Sequence, residues 1–144
     1  MPHNLWLGGD YSNNIGGLTL YGASAEVSNE WSTNYNNSLK ITKTSSSTQI
    51  YLWYYHEYNS ENKTLQLSIN QRITTGSYHL QIVQYDNNKT QLDIVQMGVW
   101  VSSTNPIILT TTTVENVKYI SIRIYRYGDV GSTLFLDNAI VTEN

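Results

Sequence analysis

Apolar residues in this chain recur at every second position and almost nowhere at helical spacing. Leu65, Leu67 and Ile69 alternate with Gln66, Ser68 and Asn70, and Arg72 continues the polar row. Tyr78, Leu80 and Ile82 alternate with His79, Gln81 and Val83, while Ile120, Ile122 and Ile124 alternate with Tyr119, Ser121, Arg123 and Tyr125. Successive strand residues point to opposite faces, so each stretch buries one row and presents the other. The same pattern predicts strands near Leu18–Tyr21, Leu39–Thr42, Gln49–Tyr58, Thr64–Ile73, Tyr78–Tyr85, Leu92–Met97, Ile107–Val114, Lys118–Tyr127 and Thr133–Thr142. Clusters of Asn, Gly, Ser and Asp separate them, as at Asn59–Asn62, Asp86–Asn88 and Gly128–Gly131. Eight or nine short strands in 144 residues, with no linker and no internal repeat, imply one all-β domain, an antiparallel sandwich or barrel.

The second row of these strands is not the Lys/Glu mixture of a plain solvated face. It carries Asn70, Arg72, Gln81, Tyr85, Arg123 and Tyr125. If the strands share one sheet, its outer face is lined by aromatic, amide and guanidinium groups. Composition points the same way: twelve Tyr and four Trp stand against one Phe. Tyr and Trp join an apolar ring face to a polar tip, which suits half-apolar, half-wet ligands such as sugar rings. The densest cluster falls in Gln49–Tyr58, with Tyr51, Trp53 and Tyr55 on one face and Leu52, Tyr54, His56 and Tyr58 on the other. Leu52 beside Tyr54 places that second face inward and turns Trp53 and Tyr55 outward; the alternative makes Trp53 a large core residue. Trp31 lies in the Asn29–Asn37 loop, as a core plug or as a stacking platform at a rim.

Several function classes are disfavoured. A net charge of −3 with eight Lys plus Arg lacks the basic footprint of nucleic-acid binding. Strongly anionic polysaccharides are disfavoured as well, although two arginines could accept a single uronate. No apolar run of about 18 residues offers a membrane span. Met1-Pro2-His3 is not a basic-plus-apolar leader, so the chain reads as a cytosolic protein or as a domain excised from a larger secreted one. The absence of Cys removes disulfides and thiolate sites. Glu26, Glu30, Glu57, Glu61, Asp93 and Asp129 have no signature spacing for glycoside hydrolysis. His56 and His79 are isolated, and neither a Gly-x-Ser-x-Gly elbow nor a glycine-rich phosphate loop is present. The reading is a non-enzyme.

Four segments carry a family resemblance. Asn4-Leu5-Trp6-Leu7-Gly8-Gly9-Asp10-Tyr11-Ser12 resembles the opening strand and turn of jelly-roll carbohydrate-binding modules of the family-four, nine, sixteen and twenty-two type, and Trp31 fits their later Trp. Asn37-Ser38-Leu39-Lys40-Ile41-Thr42 resembles their next strand, and Lys63-Thr64-Leu65-Gln66-Leu67-Ser68-Ile69 a central one. Thr133-Leu134-Phe135-Leu136-Asp137-Asn138-Ala139-Ile140-Val141 is similar to their closing Phe-Ile-Asp-Asn-Val strand. The opening also resembles jelly-roll domains of phage tail and baseplate proteins, which Ser12 suits better than the family's usual Glu.

The resemblance implies a jelly-roll β-sandwich over residues 1–144, extracellular or surface-exposed, acting as a monomeric sugar-binding unit within a larger chain. The expected carbohydrate-binding set is Trp53, Tyr55, Asn70, Arg72, Gln81, Tyr85, Arg123 and Tyr125. The resemblance also implies a structural calcium ion held by Asp137 with Asp10 as partner, although Ser12 in place of Glu removes one ligand. The alternative function is a receptor-binding or assembly domain of a surface adhesin or phage tail.

Overall fold

Antiparallel pairing organises the chain into two sheets, with no helix among the described residues. The structure is a computed structural model and describes residues 19–31, 38–46, 49–51, 55–73, 75–100, 106–127 and 129–143. The strands are β1 (Thr19–Tyr21), β2 (Ala23–Ser28), β3 (Ser38–Lys43), β4 (Gln49–Tyr51), β5 (His56–Glu57) and β6 (Thr64–Ile73), then β7 (Ser77–Tyr85), β8 (Gln91–Trp100), β9 (Ile107–Thr112), β10 (Tyr119–Tyr127) and β11 (Thr133–Glu143). A front sheet runs β1-β4-β10-β7-β8, with β5 also paired to β10. A back sheet runs β2-β3-β11-β6-β9. The chain crosses between the sheets at β1–β2, β3–β4, β5–β6, β6–β7, β8–β9, β9–β10 and β10–β11, while β2–β3 and β7–β8 are paired within one sheet, as in a jelly-roll sandwich.

Alternation sets which rows meet. On the back sheet Leu39, Ile41, Leu65, Leu67, Ile69, Leu134, Leu136 and Val141 are buried. They form one cluster with Leu80, Ile82, Ile120, Ile122 and Ile124 of the front sheet. Each such side chain is worth about 1.5–3 kcal/mol on burial, which makes this core the main stabilising term. The chain changes sheet between β1 and β2 across the single residue Gly22, whose φ of 70° is costly for any side chain. Its carbonyl accepts the N–H groups of Thr44 at 2.9 Å and Ser45 at 3.2 Å, which ties the corner to the end of β3.

Several polar side chains sit in the core rows, among them Gln71 of β6, Thr111 of β9 and Gln84 of β7. Gln84 of β7 is fully buried and reaches across to the other sheet. Its Nε2 donates to the Thr112 carbonyl at 3.0 Å, to Thr111 Oγ1 at 3.3 Å and to Asp93 Oδ2 at 3.4 Å. Its Oε1 accepts the Val114 N–H at 2.8 Å. Both ends of the amide are thus satisfied, as burial requires. A second tie joins the two sheets near Tyr58, whose hydroxyl donates to Glu143 Oε1 at the end of β11.

Two departures from the expected strands are informative. Gln49–Tyr58 is not one strand: Tyr55 stands in a turn with φ of 42°, and β4 and β5 lie on either side of it. The strand β2 escaped the sequence pattern because Ala23–Ser28 contains a single large apolar residue, Val27, and needs none at a sheet edge.

Two stability predictions follow from these ties. Gln84→Leu strands the Val114 N–H and the Thr112 carbonyl, and should cost about 2–3 kcal/mol in urea unfolding; a loss below about 0.5 kcal/mol would refute the clamp. The second concerns pH. Burial, reinforced by the Glu143 carboxylate, raises the Tyr58 pKa, so stability is intact below the ordinary tyrosine value of about 10 and falls as pH climbs above it. Burial lowers the His56 pKa against the opposing pull of Glu57, so stability is intact above about 6.5 and falls as pH drops below it. A melting-temperature profile should therefore form a plateau between those values, and Tyr58→Phe should flatten its alkaline edge.

Candidate functional site

The longest ladder of the front sheet sets the site's geometry. Strands β10 and β7 pair from Tyr119 opposite Tyr85 to Tyr127 opposite Ser77. Direct partners share a face, so with Ile122 and Ile82 turned inward the outer face receives Tyr119, Ser121, Arg123 and Tyr125 beside Tyr85, Val83, Gln81 and His79. The β7–β8 ladder extends these rows by placing Gln96 opposite Gln81, Ile94 opposite Val83 and Gly98 opposite His79.

Across the middle of this face runs a row of hydrogen-bonded polar groups. Arg123 Nε donates to Gln81 Oε1 at 3.1 Å, and Gln81 Nε2 donates to Gln96 Oε1 at 2.9 Å. The Arg123 guanidinium carbon lies 5.6 Å from the Tyr125 ring centroid, within reach of a cation–π attraction. Gln81 is only 5% exposed, so its amide acts as a fixed spacer that orients the guanidinium. Gln96 is exposed, and Arg123, Tyr125 and His79 are half-buried. By register, the row comprising Arg123, Gln81 and Gln96 and the next, comprising Tyr125, His79 and Gly98, contain no carboxylate.

Towards β5 the same face is closed by aromatic packing. Val83 and Ser121 are fully buried although they belong to the outer row, and Tyr85 is 5% exposed. The Tyr85 hydroxyl lies 3.0 Å from Ser121 Oγ. Tyr55 stands edge-on to Tyr85, with ring centroids 4.9 Å apart, and edge-on to Tyr119 at 6.3 Å. Lys89 Nζ caps this group, 5.1 Å from the Tyr55 centroid and 5.4 Å from that of Tyr119. The face therefore has a sealed aromatic end and a more open polar end.

The expected residues divide accordingly. Gln81, Arg123 and Tyr125 meet in one place, and Tyr55 and Tyr85 pack together at the sealed end. Asn70 and Arg72 belong to β6, on the outer face of the other sheet, so the eight do not share one sheet. There Arg72 is exposed opposite Phe135, and Asn70 is opposite Asp137. Phe135 is covered by Trp31 at 6.3 Å between centroids and by Lys40, which also bridges Glu30 at 3.0 Å. Trp31 is thus a cover on the outside of the back sheet, not a plug between the sheets. Trp53 and Asp10 lie outside the described residues.

Gln96, His79 and Lys89 were missed by sequence reasoning. Strand parity could have found His79, which lies two residues before Gln81. It could not find Gln96, because β8 sets the apolar Ile94 on its outer row and Asp93 on its inner row. Lys89 is brought to the site by a tight turn, where Asp86 Oδ1 accepts the N–H groups of Asn88 at 2.8 Å and Thr90 at 2.9 Å.

Asp137 is fully buried on β11, at the register shift between Asp137 and Ile140. A buried carboxylate beside irregular backbone suits one position of a calcium shell, which takes six to eight oxygens. The described residues hold no group of three His, Asp or Glu side chains placed to complete one.

No protein-family model matches the sequence, and no curated protein matches it. Solved structures do match in three dimensions. The enzymatically active domain of tailspike protein 4 from bacteriophage CBA120 superposes with a TM-score of 0.83 at 16% identity, over 98% of this chain and 21% of that one. The chain thus spans about a fifth of that tailspike domain's chain. The CBM22-1 xylan-binding domain of Paenibacillus barcinonensis Xyn10C superposes with a TM-score of 0.63 at 16% identity, over 99% of this chain and 92% of that one. A family 16 carbohydrate-binding module gives 0.70 at 14% identity, over 96% and 99%. At these identities the likeness establishes the fold: an all-β antiparallel sandwich of the jelly-roll kind shared by carbohydrate-binding modules and a tailspike domain.

Proposed function

We propose that this domain is a non-catalytic carbohydrate-binding module that holds an oligo- or polysaccharide on the outer face of its front sheet. The observation that carries this reading is the Tyr125–Arg123–Gln81–Gln96 row. It sets an aromatic ring beside a fixed guanidinium and two amides along one surface. A sugar offers C–H faces to the ring and hydroxyls, each both donor and acceptor, to the amides and guanidinium. Each such hydrogen bond replaces one to water and nets about 1 kcal/mol, so affinity rests on several contacts and on tethering within a larger, secreted or surface-exposed protein. The superposed xylan-binding domain supports a sugar ligand, and the carboxylate-free rows support binding without hydrolysis, which needs a pair of acids.

A second reading draws on the tailspike superposition, which has the highest TM-score of the three described. In that reading the domain is an assembly or receptor-binding module of a phage tail or surface adhesin, and the same face packs on a neighbouring subunit. A structural calcium held by Asp137 and Asp10 is proposed under either reading.

A glycan array run with calcium and with chelator, followed by titration calorimetry, tests the function. A specific hit that Arg123→Ala weakens by about tenfold or more supports the sugar-binding face. Silence across neutral and acidic glycans, from a folded protein that forms an obligate oligomer, would transfer the face to the assembly reading. A melting temperature unchanged by chelator would remove the calcium.

A further inference from the structure

At the end of the sandwich beyond Tyr119, a cleft of about 420 Å³ opens between β5, the β7–β8 turn and the start of β10. Its walls are Glu57, Tyr58, Asn59, Asn87, Lys118 and Tyr119. A smaller hollow of about 270 Å³ adjoins it, and Asn87 and Lys118 line both. The volume lies within the roughly 300–1,000 Å³ of small-molecule sites.

The walls are held before any ligand arrives. The Tyr58 N–H donates to the Lys118 carbonyl at 2.9 Å, and the Lys118 N–H donates to the Tyr85 carbonyl at 2.8 Å. Asp86 fixes the turn that carries Asn87, and Lys89 and Tyr55 hold the Tyr119 ring from one side. Yet Glu57, Asn59, Asn87 and Lys118 are exposed, so the rigid backbone presents polar side chains to solvent.

Their chemistry selects a ligand class. Glu57 only accepts hydrogen bonds, Lys118 only donates them, and each Asn amide does both. The two formal charges cancel, which disfavours a phosphate or a polyanion. The lining is too polar for a lipid chain. Vicinal hydroxyls beside an apolar ring face satisfy this set, with one hydroxyl donating to Glu57 while its neighbour accepts from Lys118. We propose that this cleft is a second carbohydrate site, which takes the end or a side branch of a neutral glycan with Tyr119 as its stacking surface. The site is distinct from the Tyr125–Arg123–Gln81–Gln96 row, with which it shares no residue, although its Tyr119 stands at the far end of the same outer face.

Amide chemical-shift mapping with xylohexaose, cellohexaose, mannohexaose and β-1,4-galactotriose, each at millimolar concentration, tests the proposal. The expected result is shifts at Asn59, Asn87, Lys118 and Tyr119 with at least one of the four. They persist in Arg123→Ala, and Asn87→Ala and Lys118→Ala each weaken them by about tenfold. Glu57→Gln serves as a further probe, and the spectra themselves report whether each variant folds. Shifts confined to Tyr125, Arg123, Gln81, Gln96 and their neighbours overturn the second site and leave the first intact. Cleft shifts abolished by Arg123→Ala, or absent with all four sugars, also overturn it.

Discussion

The register between β10 and β7 is the constraint on which the rest of the molecule depends. It aligns Ile120, Ile122 and Ile124 with Gln84, Ile82 and Leu80 on the inner side, so one ladder supplies the centre of the core. The same pairing aligns Arg123 with Gln81 and Tyr125 with His79 on the outer side. Core and candidate site are therefore two faces of a single pairing. A slip of one residue would bury Arg123 and expose the isoleucines, which makes alternative registers prohibitive. The candidate site owes its rigidity to the same burial that stabilises the fold.

Buried polar groups then fix the sandwich at its ends. Gln84 links β7 to β9 and the segment that follows it, and Tyr58 links the β5 end to β11. Glu61 accepts the Asn116 N–H at 2.7 Å, and Thr113 Oγ1 donates to the Ser60 carbonyl at 2.6 Å. These bonds join the turns at one end of the sandwich, so the cleft beyond Tyr119 is framed by anchored backbone. Anchored backbone spares the cost of ordering the turns on binding, so only the rotamer freedom of the exposed side chains is lost.

The strongest strands were legible because each has one uniformly apolar row. The bounds expected for Thr64–Ile73 match β6 at both ends, and Tyr78–Tyr85 and Lys118–Tyr127 each miss by one residue. The shared outer face of Gln81, Arg123 and Tyr125 was legible for the same reason. Sheet membership was not. Alternation tells which side of a strand is buried but not which strands are neighbours, so Asn70 and Arg72 were grouped with residues that belong to the opposite sheet. Tyr55 was assigned to a strand because aromatic, alternating sequence reads as extended, and nothing in the surrounding residues marks its positive φ. The role of Gln84 was not legible, because its long-range partners on β9 and beyond are invisible to a local pattern.

The account's central claim is that the open end of the front-sheet face is a sugar-binding surface. The fold alone does not distinguish this from subunit packing, since a xylan-binding domain and a tailspike domain both superpose on the chain. The most direct measurement is a crystal structure of the domain soaked with the tightest-binding oligosaccharide from the array. The account predicts density for a sugar ring against Tyr125, with hydroxyls within hydrogen-bond distance of Arg123 and Gln96. The same face packed against a second subunit that also forms in solution, with no sugar on the row, would contradict it.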